Sequence, residues 1–254
     1  MLKQTLLSLN HQTDKNFEVV VSDDGSNIES QNKIKELQQQ LSYRLTYLWQ
    51  KDLGFRAAKA RNEGIKKANG DYIIFTDGDC ILPASFVAQH RKLALKNHFV
   101  DGNRILLSEK FTKNILNQDE IFNINIKSLF KYRIAGKINK ISSYLKLPLG
   151  PFRLLRSTKW KGVKTCNLAA WKQDLMEVNG FDESFQGWGH EDADLVIRLI
   201  KNRVKRQSGK YASVVFHQWH KVNDRKNEIK NKAALLNSIN SANVKANNGL
   251  EKIQ

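Results

Sequence analysis

The residues most able to do chemistry in this chain are acids placed at the ends of short apolar runs. Asp77-Gly78-Asp79 follows YIIFT directly. Two carboxylates flanking a glycine at a strand end project into a cleft, where they can hold a hard divalent cation that bridges diphosphate oxygens. The plain alternative is a tight Asp-Gly turn. Asp23-Asp24-Gly25-Ser26 repeats the arrangement at the end of FEVVVS. Here Asp23 or Asp24 can accept hydrogen bonds from a uracil imide or from ribose hydroxyls, and Gly25 lets the backbone approach a ligand. The alternative is again a turn, with Asp24 or Ser26 capping the next helix.

Other segments supply complementary groups. Gly54 leads into the Ala-rich segment FRAAKARNEG, whose free N–H groups and dipole, together with Arg56 and Lys59, suit a diphosphate. An amphipathic helix with exposed cations has the same composition. Downstream, Gly187-Trp188-Gly189-His190-Glu191-Asp192-Ala193-Asp194 opens the helical run VIRLIKNRV. Carboxylates in a first helical turn stay ionised and can take a proton from a sugar hydroxyl. Trp188 offers a flat apolar face to a sugar ring, and the flanking glycines would let that loop move. His217 and His220 end a further strand and could ligate a metal, with Asp79 the natural additional ligand. A surface or core histidine pair is the ordinary alternative.

The elements that must position these groups alternate. Strands are expected at 17–22, 45–50, 71–76 and 213–217, and helices at 29–41, 57–68, 84–96 and 191–204. This pattern specifies an α/β domain with a mostly parallel sheet and ligands at its carboxyl edge. The segment from Leu2 to His11 reads as a helix with no strand before it, so the first strand is expected to lie upstream of Met1 and to be missing here. After Lys221 the chain is polar and rich in Asn and Lys, which predicts a surface helix fraying into disorder.

With 254 residues and 41% apolar content, the chain suits one substantial core. The two cysteines, Cys80 and Cys166, form no paired framework. The net charge of +17 is concentrated: Ile121 to Gln173 carries twelve Lys or Arg residues and no acid, interleaved with large apolar residues. That composition suits an anionic membrane surface. Nucleic acid is a poorer partner, because no recognition motif accompanies the charge and the acidic motifs repel phosphates.

Taken in order, SLNHQT, VVVSDDGS, GFRAAKARNEGI, DYIIFTDGDC, TCNLAAWK, GFDESFQGWGHEDADL and FHQWHKVNDR resemble the family 2 glycosyltransferases of the GT-A fold. The similarity is to the bacterial branch with a galactosyltransferase-like C-terminal region, and it covers nearly all of residues 1–224. It implies a single, mostly parallel central sheet flanked by helices. Residues 1–110 would bind the nucleotide sugar, 111–165 would be a basic apolar insertion, 166–224 would serve the acceptor and catalysis, and 225–254 would be a polar tail. It implies that Asp23 or Asp24 contacts the nucleoside, while Arg56, Lys59 and Trp188 are expected on the donor from their own chemistry. Asp77 and Asp79 would form the metal and diphosphate motif, completed by His220 and, more weakly, His217. Asp192 would be the catalytic base, with Glu191 supporting the acceptor. The implied reaction is an inverting, Mn²⁺- or Mg²⁺-dependent transfer from a nucleotide-diphospho-sugar to a glycan or lipid-linked glycan. The setting would be cytoplasmic, peripheral at the inner face of the cell membrane. A non-catalytic relic that binds sugar or nucleotide is the reading from another class.

Overall fold

A computed structural model describes residues 1–118, 122, 126–221 and 224–252. The chain opens with helix α1 (Leu2–Asn10), strand β1 (Glu18–Asp23), α2 (Ile28–Gln38), β2 (Arg44–Trp49), α3 (Ala57–Lys67) and β3 (Tyr72–Phe75). It continues through β4 (Cys80–Ile81), α4 (Phe86–Leu93), β5 (His98–Asp101), β6 (Asn103–Leu106), α5 (Glu109–Leu116) and α6 (Ile126–Ile134). The last part holds β7 (Leu168–Trp171), α7 (Lys172–Glu177), α8 (Glu191–Lys201), β8 (Lys205–Ser208), β9 (Val214–His217) and α9 (Glu228–Asn240). Local chemistry explains several boundaries. Asn27 caps α2 by accepting the Ser30 N–H at 2.9 Å. Three acids in the first turn of α8, with Arg198 and Lys201 in its last, complement the helix dipole. Among the described residues, no helix is long and apolar enough to cross a membrane.

The α/β layering is as expected, but the strands do not pair as one mostly parallel sheet. Among the described residues they form three hydrogen-bonded groups: β1-β2, β3-β7-β5-β8 and β4-β9-β6. β1/β2, β5/β8 and β6/β9 are parallel, whereas β3/β7, β5/β7 and β4/β9 are antiparallel. The reason lies in the second half of the chain. β7 enters between β3 and β5 against their direction, and its all-apolar face needs both neighbours for burial: Leu168, Ala169 and Ala170 are fully enclosed.

β1 and β3 do not pair with each other. Instead their facing edges line a cavity of about 1550 Å³ that continues into the crevice at the strand ends. Helix α3 lies close over β1, where a Cβ on Gly64 would meet the Ser22 hydroxyl at 2.8 Å. Only a glycine permits that approach without a shift.

The segment after residue 224, expected to be a fraying polar tail, is docked. Leu235 of α9 packs with Phe185 and Ile197, and Leu250 joins the main core beside Phe181 and Val178. Asn179 secures the end of the chain by donating to the Ala246 and Glu251 carbonyls at 2.7 and 2.8 Å. The few apolar residues of this segment suffice because they fall where the core is open to receive them.

Candidate active site

The crevice is built where strand ends, the first turn of α8 and one face of α3 converge. Asp24, Asp77, Asp79, Trp188, Glu191, Asp192, His217 and His220 all line it. Asp23 does not. Its carboxylate accepts the Ser26 N–H at 2.9 Å and the Tyr47 hydroxyl, so it closes the turn after β1. Asp24 accepts from the Gln50 amide and from the backbone N–H of Arg56, which ties that turn to the start of α3. Of the two carboxylates open to a nucleoside role in the sequence, only Asp24 reaches the crevice.

Arg56 and Lys59 are absent from the lining. Of the cations on α3, the one in the lining is Arg61, which donates to Glu191 Oε1 at 2.9 Å and to Asp77 Oδ1 at 3.3 Å. Burial opposes its charge, but Asp77 and Glu191 together hold the guanidinium more firmly protonated than usual. Charge and motif do not single out Arg61 in the sequence. The signal that could is helical spacing, since Ala57, Arg61, Gly64 and Ala68 share the face of α3 that lines the cavity, while Lys59 points elsewhere.

His217 Nε2 and His220 Nε2 lie 3.5 and 3.2 Å from Asp79 Oδ2. These three residues can each present one ligand atom within 4.8 Å of the others. Asp77 is not in this group and faces Arg61 instead. The donor set fits a divalent cation on its own geometry. His220 Nδ1 lies 2.9 Å from the Lys221 carbonyl, and donation there leaves Nε2 with a lone pair turned toward a carboxylate. Two lone pairs at that separation call for a proton or a cation between them. Burial raises the Asp79 carboxyl above the ordinary range, Asp77 adds to the shift, and the two histidines oppose it.

Asp192 and Asp194 stand on opposite sides of α8, because two residues span about 200° of helix. Asp194 is buried against Arg198 at 2.7 Å, and that guanidinium also donates to the Val178 and Gly180 carbonyls. It is a structural pair. Asp192 faces the crevice, with Lys164 Nζ 4.0 Å away. Burial raises its carboxyl first and Glu191 pushes it further, while Lys164 and Arg61 pull it back. A carboxylate so raised accepts a proton more readily than an exposed one.

The Gly-Trp-Gly loop is tethered rather than free to swing. Asn231 of α9 donates toward the Gln186, Trp188 and Gly189 carbonyls at 3.1, 3.3 and 3.1 Å, and Gly187 N–H bonds the Phe55 carbonyl at 2.8 Å. The Arg225 guanidinium sits 4.3 Å from the Trp188 ring centre and covers one face. Gly187 and Gly189 have φ of 76° and 101°, so they serve the loop's shape.

Residues 1–152 match the glycosyl transferase family 2 model, and residues 155–221 match the N-terminal domain of galactosyltransferase. The validoxylamine A glucosyltransferase of Streptomyces hygroscopicus is 28% identical over 221 residues, covering 82% of this chain and 51% of the relative. The hyaluronan synthase of Pasteurella multocida is 30% identical over 221 residues, covering 79% of this chain and 21% of the synthase. The chain thus spans about half the length of the first relative and about a fifth of the second. A mannosyltransferase from Pyrobaculum calidifontis, solved with GDP-Man and Mn²⁺, superposes with a TM-score of 0.56 at 16% identity, covering 92% of this chain and 57% of that one. At that identity the likeness speaks for the GT-A fold alone.

Proposed function

The chain belongs to the family 2 glycosyltransferases, and on that footing we propose that it moves a sugar from a nucleotide-diphosphate donor to a glycan hydroxyl with inversion, using Asp192 as the base. The observation that carries this reading is the convergence on one crevice of a buried, proton-seeking Asp192 and the Asp79–His217–His220 donor set. Asp79, His217 and His220 would hold a divalent cation, Mn²⁺ or Mg²⁺. Bound there, it would neutralise charge on the departing diphosphate. Asp77 stays with Arg61, and this pair together with Glu191 holds the wall between the two groups. Asp24 faces the nucleoside end. Asp192 removes the acceptor proton as the hydroxyl attacks the anomeric carbon, and Lys164 and Arg61 keep its charge tolerable in a buried setting.

For the acceptor we favour a surface glycan, in line with a relative named as a hyaluronan synthase. The basic, apolar segment between 121 and 173 suits a lipid-linked acceptor at the inner membrane face, where its cations would meet anionic headgroups.

The test is turnover of a nucleotide-sugar panel with Mn²⁺. Asp192→Asn should lower kcat by at least ~100-fold while donor affinity holds. In the parent enzyme, kcat/KM should fall with acid below a pKa that lies above the usual carboxylate value, because only the ionised form accepts the proton. An Asp192→Asn enzyme of normal turnover would defeat the assignment. Separately, Asp79→Ala should weaken Mn²⁺ binding by at least ~10-fold in calorimetry, and unchanged affinity would remove Asp79 from the ligand set.

A further inference from the structure

The Gly-Trp-Gly loop is held by a helix that the proposed chemistry does not use. α9 lies past residue 221, where the second family match ends, and it meets the loop with one face. Asn227 at its cap, then Asn231, Leu235 and Ser238, recur at helical spacing and form a single stripe. Leu235, in the middle of that stripe, packs with Phe185 and Ile197. Beyond its far end, Lys201 of α8 donates to the Ser241 carbonyl at 2.6 Å. The near end reaches the loop, so α8 and the loop that leads into it share one support.

The contact there is polar and enclosed. Asn231 is 2% exposed, and the carbonyl oxygens of Gln186, Trp188 and Gly189 converge on its Nδ2. That nitrogen has two hydrogens, so the three acceptors share them. The same chemistry fixes which way the side chain faces, because its oxygen could not lie against three carbonyls. Asn227 Nδ2 adds a bond to the Gln186 carbonyl at 3.1 Å, and a Cβ on Gly187 would meet that nitrogen at 2.8 Å. Glu228, in the first turn of α9, lies 3.7 Å from the Arg225 guanidinium that covers Trp188. The support therefore reaches both the backbone of the loop and its ring.

What the loop carries gives this contact a consequence. Trp188 lines the crevice, and the chain then passes through His190, in the left-handed region at φ 77°, into Glu191 and Asp192. A shift of the loop moves the ring and the proton acceptor together. Asp24 and the Asp79–His217–His220 group stand on strand ends outside this loop.

We propose that Asn231 is a positioning residue for the sugar of the donor: by holding the Gln186, Trp188 and Gly189 carbonyls, it keeps Trp188 and the start of α8 in the geometry that receives the sugar ring. This rests on the reading of the crevice as a nucleotide-sugar site. It also has a signature of its own, because the loop serves the sugar and other elements serve the nucleoside diphosphate.

The test uses the nucleotide sugar of the panel that the chain hydrolyses fastest with Mn²⁺, together with the matching free nucleoside diphosphate. Asn231→Asp keeps the shape but turns an oxygen toward three carbonyls, and Asn231→Ala removes the group. Both should lower kcat/KM for donor hydrolysis by at least ~10-fold, while the Kd of the free nucleoside diphosphate stays within ~2-fold of the parent's. Amide exchange over residues 186–192 should quicken by at least ~10-fold in both. Val100→Ala, which loosens a distant part of the core, should lower Tm and leave loop exchange and kcat/KM within ~2-fold. The proposal is overturned if both Asn231 variants hydrolyse donor as the parent does, if nucleoside diphosphate affinity falls in step with kcat/KM, or if Val100→Ala reproduces the loss. Absence of turnover in the unmodified chain would defeat the transferase reading itself. Turnover by the parent with unchanged loop exchange in Asn231→Asp and Asn231→Ala would defeat the positioning role alone.

Discussion

β1 and β5 are both short, apolar strands, yet they live in different surroundings. β5 is paired on both edges, by β7 and β8, and its Phe99 and Val100 are fully enclosed. β1 carries three consecutive valines and, among the described residues, is paired on one edge only, with none of its six residues fully buried. The lesson is that a strand's composition states what burial it can use, whereas its neighbours decide what it receives. The closed side also contains buried charged pairs, such as Asp194 with Arg198, whose partners must stay in place.

The largest expected effect tests the closed side. Asp194→Ala would leave the Arg198 guanidinium buried without its carboxylate and should cost about 3–5 kcal/mol in urea unfolding. A loss under about 1 kcal/mol would mean that α8 is held less tightly than its packing indicates.

Next comes acid. His90 is fully buried, with Nε2 2.9 Å from Asn167 and 2.7 Å from Ser213, and Nδ1 without a partner. Burial lowers its pKa to about 4, and the Asn167 contact opposes the shift. The folded form therefore resists a proton that the unfolded chain accepts near pH 6.5. Its contribution is complete above about pH 6.5 and is lost as pH falls toward about 4, a change of about 3 kcal/mol. His90→Gln should flatten that part of the stability profile, and a parallel profile would locate the acid sensitivity elsewhere.

The smallest effect is the most direct contrast. Val100→Ala on the closed side should destabilise by about 2–3 kcal/mol, because it empties a packed space. Val20→Ala on the open side should change stability by about 1 kcal/mol or less, since that side chain already meets the cavity. Equal losses would erase the distinction between the two regions.

Much of the site is legible in the sequence alone. Asp79, His217 and His220 stand out there because they end strands, and in the fold they do face one another. Asp77 is expected on the same ion, and in the fold its carboxylate meets Arg61 at 3.3 Å, which the local sequence does not announce. Arg56 and Lys59 draw notice for their charge, yet the face of α3 turned to the cavity carries Arg61. Lys164 is one cation among many in a diffuse basic segment, and folding sets it across from Asp192. The sheet is harder to read: β4, β5, β6, β7 and β8 give no sign in the pattern, since short strands buried on several sides show no alternation.

The sequence by itself determined the near-range features: where strands end, which carboxylates follow them, and that Asp192 and Asp194 fall on opposite sides of α8. These depend on backbone periodicity and on neighbours a few residues away. Only the tertiary structure decided which of those two acids meets Arg198 and which meets the crevice, and that Arg61 would reach Glu191 across 130 positions of chain. A helix repeats its geometry wherever it sits. The identity of the group across from each face depends on how distant elements pack, and local pattern carries no record of that.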